Sequence, residues 1–250
     1  MSKTILITGA GSGFGKMAAL ALLARGHHVI ATTETEAQAT ALREEHPALV
    51  VEKLDITTSD VAKVREWDID VLVNNAGAGQ TGPLADVPMD RVRHLFEVNV
   101  FGTLAITQEV LKGMVPKGSG RIIIMSSIAG VLSAPTFGPY AMTKFALEAM
   151  GKALRGEMAG LGVDVTLLNP GPYNTGFNDR MAQSMWEWFG DTSLSHEASE
   201  TFKMIGDFVT TDQMDPTEVS DRIVELVEAQ TTTTENNFVP ANLLELVPKL

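Results

Sequence analysis

Residues 4–15 read Thr4-Ile5-Leu6-Ile7-Thr8-Gly9-Ala10-Gly11-Ser12-Gly13-Phe14-Gly15, a short apolar run that breaks into a glycine-rich turn. The run Thr4–Thr8 has the composition of a buried strand. From about Gly13 the pattern becomes helical, and Gly26 ends that helix after Arg25 because glycine accepts the left-handed turn that follows a helix. A strand feeding a helix through glycines brings backbone N–H groups and the positive end of a helix to one place, which suits a pyrophosphate. The spacing is TGxxxGxG and not GxGxxG, since Phe14 stands where the last glycine counted from Gly9 would fall. Taken alone, such a turn also reads as a tight strand-to-helix connection; its place after a first strand and before a helix favours a dinucleotide.

Outward from this stretch, β-branched runs alternate with longer segments of helical period, the sign of βαβ units and a parallel sheet. Strands are expected at Thr4–Thr8, His28–Thr32, Leu49–Leu54, Asp70–Asn74, Arg121–Ser126 and Asp164–Asn169. Helices are expected over about Gly13–Arg25, Glu36–Glu45, Ser59–Glu66, Met89–Lys112, Gly138–Gly160 and Thr217–Ala229. The fold class is α/β: a Rossmann-type, doubly wound parallel sheet flanked by helices on both faces. It is read as one domain over residues 1–250, with a substrate lid at about 175–216. Right-handed crossovers place ligands beyond the carboxyl ends of the strands, where strand order reverses.

With 31 acidic and 19 basic residues the formal charge is −12, a field that repels a phosphate backbone, so nucleic acid is not an expected partner. No cysteine is present, which excludes disulfides, thiol nucleophiles and cysteine-ligated zinc. His27, His28, His46, His94 and His196 form no metal-ligand spacing, and no metal is expected. The N-terminus lacks a signal-peptide pattern, and the longest apolar run, Met17–Ala24, is too short to cross a bilayer. A cytoplasmic location without a membrane partner is the expectation. The Thr231–Thr234 run reads as an exposed loop.

About 20 residues past a glycine turn, an acidic side chain at the end of the second strand would hydrogen-bond an adenosine ribose. Glu34 is the candidate; a solvated surface charge is the alternative. Its carboxylate would repel a 2′-phosphate, and Ser12, Thr33 and Glu34 offer no cation, so NAD(H) is favoured over NADP(H). Tyr140 and Lys144 stand i, i+4 in a helical segment, on one face. A phenol ordinarily ionises near ~10, and an adjacent ammonium with the positive nicotinamide of NAD⁺ would bring it nearer neutrality, making it a general base for alcohol oxidation and a general acid in reverse. Ser127, after the apolar strand Ile122–Met125, is placed to orient the substrate oxygen. Asn99 would complete a proton path through water and Lys144. Singly, each has a plainer reading as a helix-surface pair, a cap or polar filler; jointly, with the glycine turn, they point to catalysis.

These stretches, with Leu54-Asp55, Asn74-Asn75-Ala76-Gly77, Ser126-Ser127, Tyr140-Ala141-Met142-Thr143-Lys144 and Pro170-Gly171-Pro172-Tyr173-Asn174-Thr175, make the chain resemble the short-chain dehydrogenase/reductase family over nearly its full length. The resemblance implies a catalytic tetrad of Asn99, Ser127, Tyr140 and Lys144. It implies cofactor contacts from Gly9, Ser12, Gly13, Phe14, Gly15, Thr33 and Glu34; from Asp55, which meets the adenine, and Ile56 beside it; and from Asn75, Ala76 and Gly77. Lys144 would also hold the nicotinamide ribose next to Tyr140, Thr175 would contact the carboxamide, and Pro170, Gly171 and Tyr173 would be further cofactor contacts. Two departures stand out. NAD-preferring relatives usually carry their acidic residue one position earlier, where this chain has Thr33. Many relatives end in a glycine-rich strand that helps build a tetramer, whereas this chain has Asn237-Phe238-Val239-Pro240 and then an apolar helix, Leu243 to Leu250. A homodimer or homotetramer is expected.

Between Thr175 and Pro216 lie Phe177, Met181, Met185, Trp186, Trp188, Phe189, Phe202, Met204 and Phe208. They read as a mobile helical lid over an apolar substrate, or as ordinary packing. Ala134, Phe137, Tyr173, Met181, Met185 and Trp186 are the candidate substrate contacts. The function expected is the NAD(H)-dependent interconversion of a secondary alcohol and a ketone, with Tyr140 moving the proton. The rivals are an NAD-binding epimerase or dehydratase, which normally needs a longer C-terminal substrate domain, and a sensor that binds cofactor without chemistry.

Overall fold

The side chains of Thr4–Ile7 divide between two hydrophobic layers, Ile5 and Ile7 entering one and Leu6 the other, as the period of two in a strand requires. A computed structural model describes residues 2–231 and 236–246. Seven strands, β1 (Thr4–Ile7), β2 (His28–Thr33), β3 (Val50–Lys53), β4 (Val71–Asn74), β5 (Gly120–Met125), β6 (Val163–Pro170) and β7 (Asn236–Val239), form one sheet in the order β3-β2-β1-β4-β5-β6-β7. All neighbours are parallel. The order reverses between β1 and β4, where Leu6 lies opposite Leu72.

Buried on both faces, β1, β4 and β5 are nearly continuous runs of Ile, Leu and Val. Ile5, Ile7, Val71 and Val73 meet α1 (Gly13–Ala24), α2 (Glu36–Glu45) and α8 (Thr217–Glu228) through Ala18, Leu22, Leu42, Val219 and Ile223. On the opposite face, Leu6, Leu72, Ile122 and Ile124 meet α4 (Thr103–Lys117) and α5 (Gly138–Met158) through Ile106, Val110, Met114, Leu147 and Leu154. The remaining helices are α3 (Met89–Phe96), α6 (Phe177–Gln183), α7 (Ser199–Thr210) and α9 (Leu243–Leu246). Thr35 starts α2 with a capping box: its hydroxyl accepts from Gln38 N at 3.3 Å, and Gln38 Oε1 accepts from Thr35 N at 3.1 Å. Among the described residues no helix is long and apolar enough to cross a membrane.

Three features depart from the sequence reading, and a fourth expectation is covered only in part. Ser59–Glu66 is a 3₁₀ helix. The helix expected over Met89–Lys112 is α3, a π turn at Glu97–Gly102 and then α4, which runs on to Lys117. β7 is an additional strand, paired with β6. Of the apolar helix expected over 243–250, Leu243–Leu246 is helical and 247–250 lie outside the described residues, as do 232–234 of the threonine run.

Candidate active site

A cavity of about 960 Å³ opens at the carboxyl ends of the strands, at the upper end of the ~300–1,000 Å³ range of small-molecule sites. One end is the glycine turn. Gly9 has φ +63°, and a Cβ there would stand 2.7 Å from the Ala76 Cα, so only glycine lets the β1 and β4 exits come this close. The two exits are also sewn together: Thr8 Oγ1 accepts from Asn75 N and Ala76 N at 3.0 Å, and Asn75 Nδ2 donates to Thr8 O at 2.9 Å and Gly9 O at 3.0 Å. Gly9, Ser12, Gly13 and Phe14 line the cavity, together with Gly11, which the sequence reading left out. Gly15 does not line it. A Cβ on Gly15 would overlap the Asn75 amide and come within 2.9 Å of Gly9 O, so its glycine serves the packing of α1 on the two exits. The bare backbone facing the cavity at the α1 N-terminus fits the diphosphate of a dinucleotide.

Beyond the turn, Thr33, Glu34, Asp55 and Ile56 line the cavity, with Gln38, Leu54 and Thr57 added by the structure. Asp55 Oδ1 accepts from Thr57 N at 2.9 Å and Thr57 Oγ1 at 2.7 Å, which fixes this loop in an Asx turn. Glu34 is exposed, and no Lys or Arg lines this end. Asn75, Ala76 and Gly77 form the floor, and Pro170, Gly171, Tyr173 and Thr175 the far wall. The Tyr173 hydroxyl donates to Glu218 Oε2 at 2.7 Å, so this residue offers the cavity its ring and backbone.

In the middle stand Ser127, Tyr140 and Lys144. β5 delivers Ser127, and the first turns of α5 deliver the other two on one face. Ser127 is hydrogen-bonded to the Tyr140 phenol and accepts from Ala129 N at 3.1 Å. The Lys144 ammonium lies 5.5 Å from the Tyr140 ring centre and donates to Met125 O at 2.8 Å. Burial pushes the Tyr140 phenol above its ordinary value, and the Ser127 hydrogen bond opposes this. Burial lowers Lys144 to about 8, against the attraction of Glu148 one turn on. The ammonium therefore still predominates at neutral pH.

Asn99 sits in the π turn, an irregularity frequent at functional sites. Its Oδ1 accepts from Ala78 N at 2.7 Å, and its Nδ2 donates to Ala78 O at 2.9 Å and Thr143 Oγ1 at 3.0 Å. Both side-chain donors are committed, so the side chain clamps the β4 exit onto α5. Beneath the site Asn169 Nδ2 donates to Glu148 Oε1 at 2.6 Å and Ser127 O at 3.2 Å, a support absent from the sequence reading.

At the substrate end Ala134, Phe137, Tyr173 and Met181 line the cavity, whereas Met185 and Trp186 do not. The short helix Ser184–Glu187 is bolted to Thr81, whose N donates to Ser184 Oγ at 3.0 Å and whose hydroxyl donates to Met181 O at 2.8 Å. That turns Met185 into the packing above Gly82, where it is buried, and leaves Trp186 edge-on to Phe189. The apolar wall comes instead from Phe177, whose ring lies 5.8 Å from that of Tyr140, and from Met204, Ile205, Phe208 and Val209 on α7. The density of large apolar residues in 175–216 pointed to the segment, but not to which helix faces the cavity.

The sequence profile of the short chain dehydrogenase family matches residues 3–186. The chain is 36% identical over 243 residues to the uncharacterized oxidoreductase YusZ of Bacillus subtilis, covering 91% of this chain and 85% of that one. It is 36% identical over 184 residues to the NADPH-dependent 3-dehydrocapnine reductase of Ornithobacterium rhinotracheale, covering 68% and 65%. A crystal structure of a short-chain dehydrogenase from Streptomyces avermitilis superposes with a TM-score of 0.83 at 27% identity, covering 98% and 91%. The chain belongs to the short-chain dehydrogenase family. It is an oxidoreductase of that family, whose members bind NAD(P).

Proposed function

We propose that the protein interconverts a secondary alcohol and a ketone on a hydrophobic substrate, using NAD(H). The observation that carries this reading is the Tyr140 phenol, buried and hydrogen-bonded to Ser127, at the boundary between the glycine-turn half of the cavity and its apolar half. The dinucleotide, when bound, would accept or supply hydride at the substrate carbon. In oxidation Tyr140 Oη takes the hydroxyl proton; in reduction it returns one to the carbonyl oxygen. Ser127 Oγ donates to the same oxygen and holds it in register. The Lys144 ammonium, held by Met125 O, favours the ionised phenol, and Asn99 fixes the surrounding loops. Glu34 at an end without cations supports NAD over NADP.

A screen of alcohols and ketones followed by absorbance of the reduced nicotinamide, with NAD(H) and NADP(H) side by side, tests this. Net oxidation or reduction is expected, and Tyr140→Phe should lower kcat by about 10²–10⁴-fold while keeping dinucleotide affinity. Isomerised product without net redox change would indicate the epimerase reading, and tight binding without turnover the sensor.

Self-association belongs to the same proposal. Phe101, Met142 and Phe145 expose apolar surface where the π turn meets α5, a face suited to a second copy. Sedimentation is expected to exceed the 26.8 kDa of one chain; a monomer would overturn this part.

A further inference from the structure

We propose that Arg180, on the lid helix α6, is a ligand of the dinucleotide diphosphate, so that the lid and the glycine turn grip the same anion. This rests on the dinucleotide reading above. A chain of formal charge −12 repels an anionic cofactor as a whole, so the attraction must be local. The glycine turn supplies backbone N–H groups and the Ser12 hydroxyl but no cation. Lys16, the cation next along α1, is paired with Glu45 at 2.7 Å. Lys144 lies deeper, turned to Met125 O. Of the residues lining the cavity, Arg180 is the other one carrying a permanent positive charge.

Its position follows from contacts across the cavity. A Cβ on Gly13, at the start of α1, would stand 3.4 Å from the Thr175 side chain. The next residue, Gly176, has the Arg180 Nη1 3.0 Å from where its own Cβ would be. The guanidinium is thus folded back beside Gly176, the residue next to the Thr175 that touches the start of α1. Among the described residues it makes no ion pair with any carboxylate. A guanidinium fork matches the paired oxygens of a diphosphate.

Calorimetric titration with ADP-ribose, which carries the diphosphate without the nicotinamide, tests the assignment. R180Q is expected to weaken ADP-ribose binding about tenfold at low salt, and R180K to fall between it and the parent. High salt should narrow the gap, since the site is open to solvent. Equal ADP-ribose affinity in R180Q and the parent would overturn the proposal, as would an effect confined to the KM of carboxylated ketones, which would make Arg180 a substrate residue. If R180Q melts at a lower temperature, R180K with parental melting decides. A parent that binds neither ADP-ribose nor NAD(P) defeats the dinucleotide reading itself and not Arg180 alone.

Discussion

Gly15 and Asn75 occupy adjoining space so tightly that the Asn75 amide fills the place a Cβ on residue 15 would take, while donating to Thr8 O and Gly9 O. Gly15→Ala must push that amide away and leave two partly buried carbonyls without this partner. The expected loss is about 1–3 kcal/mol of stability in urea unfolding, with weaker dinucleotide binding. Parental stability and affinity would show that the two exits tolerate separation.

Ser127 is the group found to draw the Tyr140 phenol downward against burial. Its removal raises the phenol further, and a base must be ionised to act. In Ser127→Ala the rise of oxidation rate with pH should move to higher pH, with kcat reduced about 10–10²-fold. An unmoved pH profile would mean that the hydroxyl orients substrate only.

Lys144 has a folded pKa of about 8 against an ordinary 10.5. Between those values the unfolded chain holds the extra proton, so this group makes stability rise with pH across that window, and below it the buried charge is a constant penalty. Lys144→Met should therefore abolish most turnover yet be more stable than the parent by about 1–3 kcal/mol at pH 7, after allowing for the unpaired Met125 carbonyl. The advantage should shrink from pH 8 to 10. Urea midpoints across that range check it; a less stable variant at pH 7 contradicts the sign.

Met204 and Phe208 are about two-thirds exposed although they line the cavity. A double change to serine removes apolar wall without opening the core. It is expected to raise KM for bulky alicyclic ketones about tenfold or more, to leave thermal stability within experimental error, and to matter little for small polar ketones. Equal KM changes for both substrate types would place α7 outside substrate recognition.

Six of the strands and the helices next to them were legible because both faces of the sheet are covered, which forces aliphatic runs. β7 was not, since Asn236 and Asn237 break the pattern. Asn237 is nonetheless buried, its Nδ2 donating to Thr166 Oγ1 and Leu167 O at 2.9 Å, a polar tie that no periodicity announces. Gly9, Ser12, Gly13, Phe14, Asn75 and Ser127 after strand ends, and Tyr140 on α5, read directly as site residues and line the cavity. Asn99 was found, but its hydrogen bonds depend on a π turn invisible in Glu97–Gly102. Met185 and Trp186 were misplaced because the hold of Thr81 on Ser184, over a separation of 103 residues, decides which way the lid turns. Arg180 escaped notice because a charge among apolar lid residues reads as solvated surface.

Leu243 closes one side of the cavity beside Gly171, whose N donates to Val239 O at 3.0 Å. The pocket therefore stays open on that side until residue 243 has left the ribosome, while β1 and its glycine turn emerge first. With domains maturing at roughly 5–20 residues per second, a nascent chain spends many seconds with its cofactor cradle incomplete.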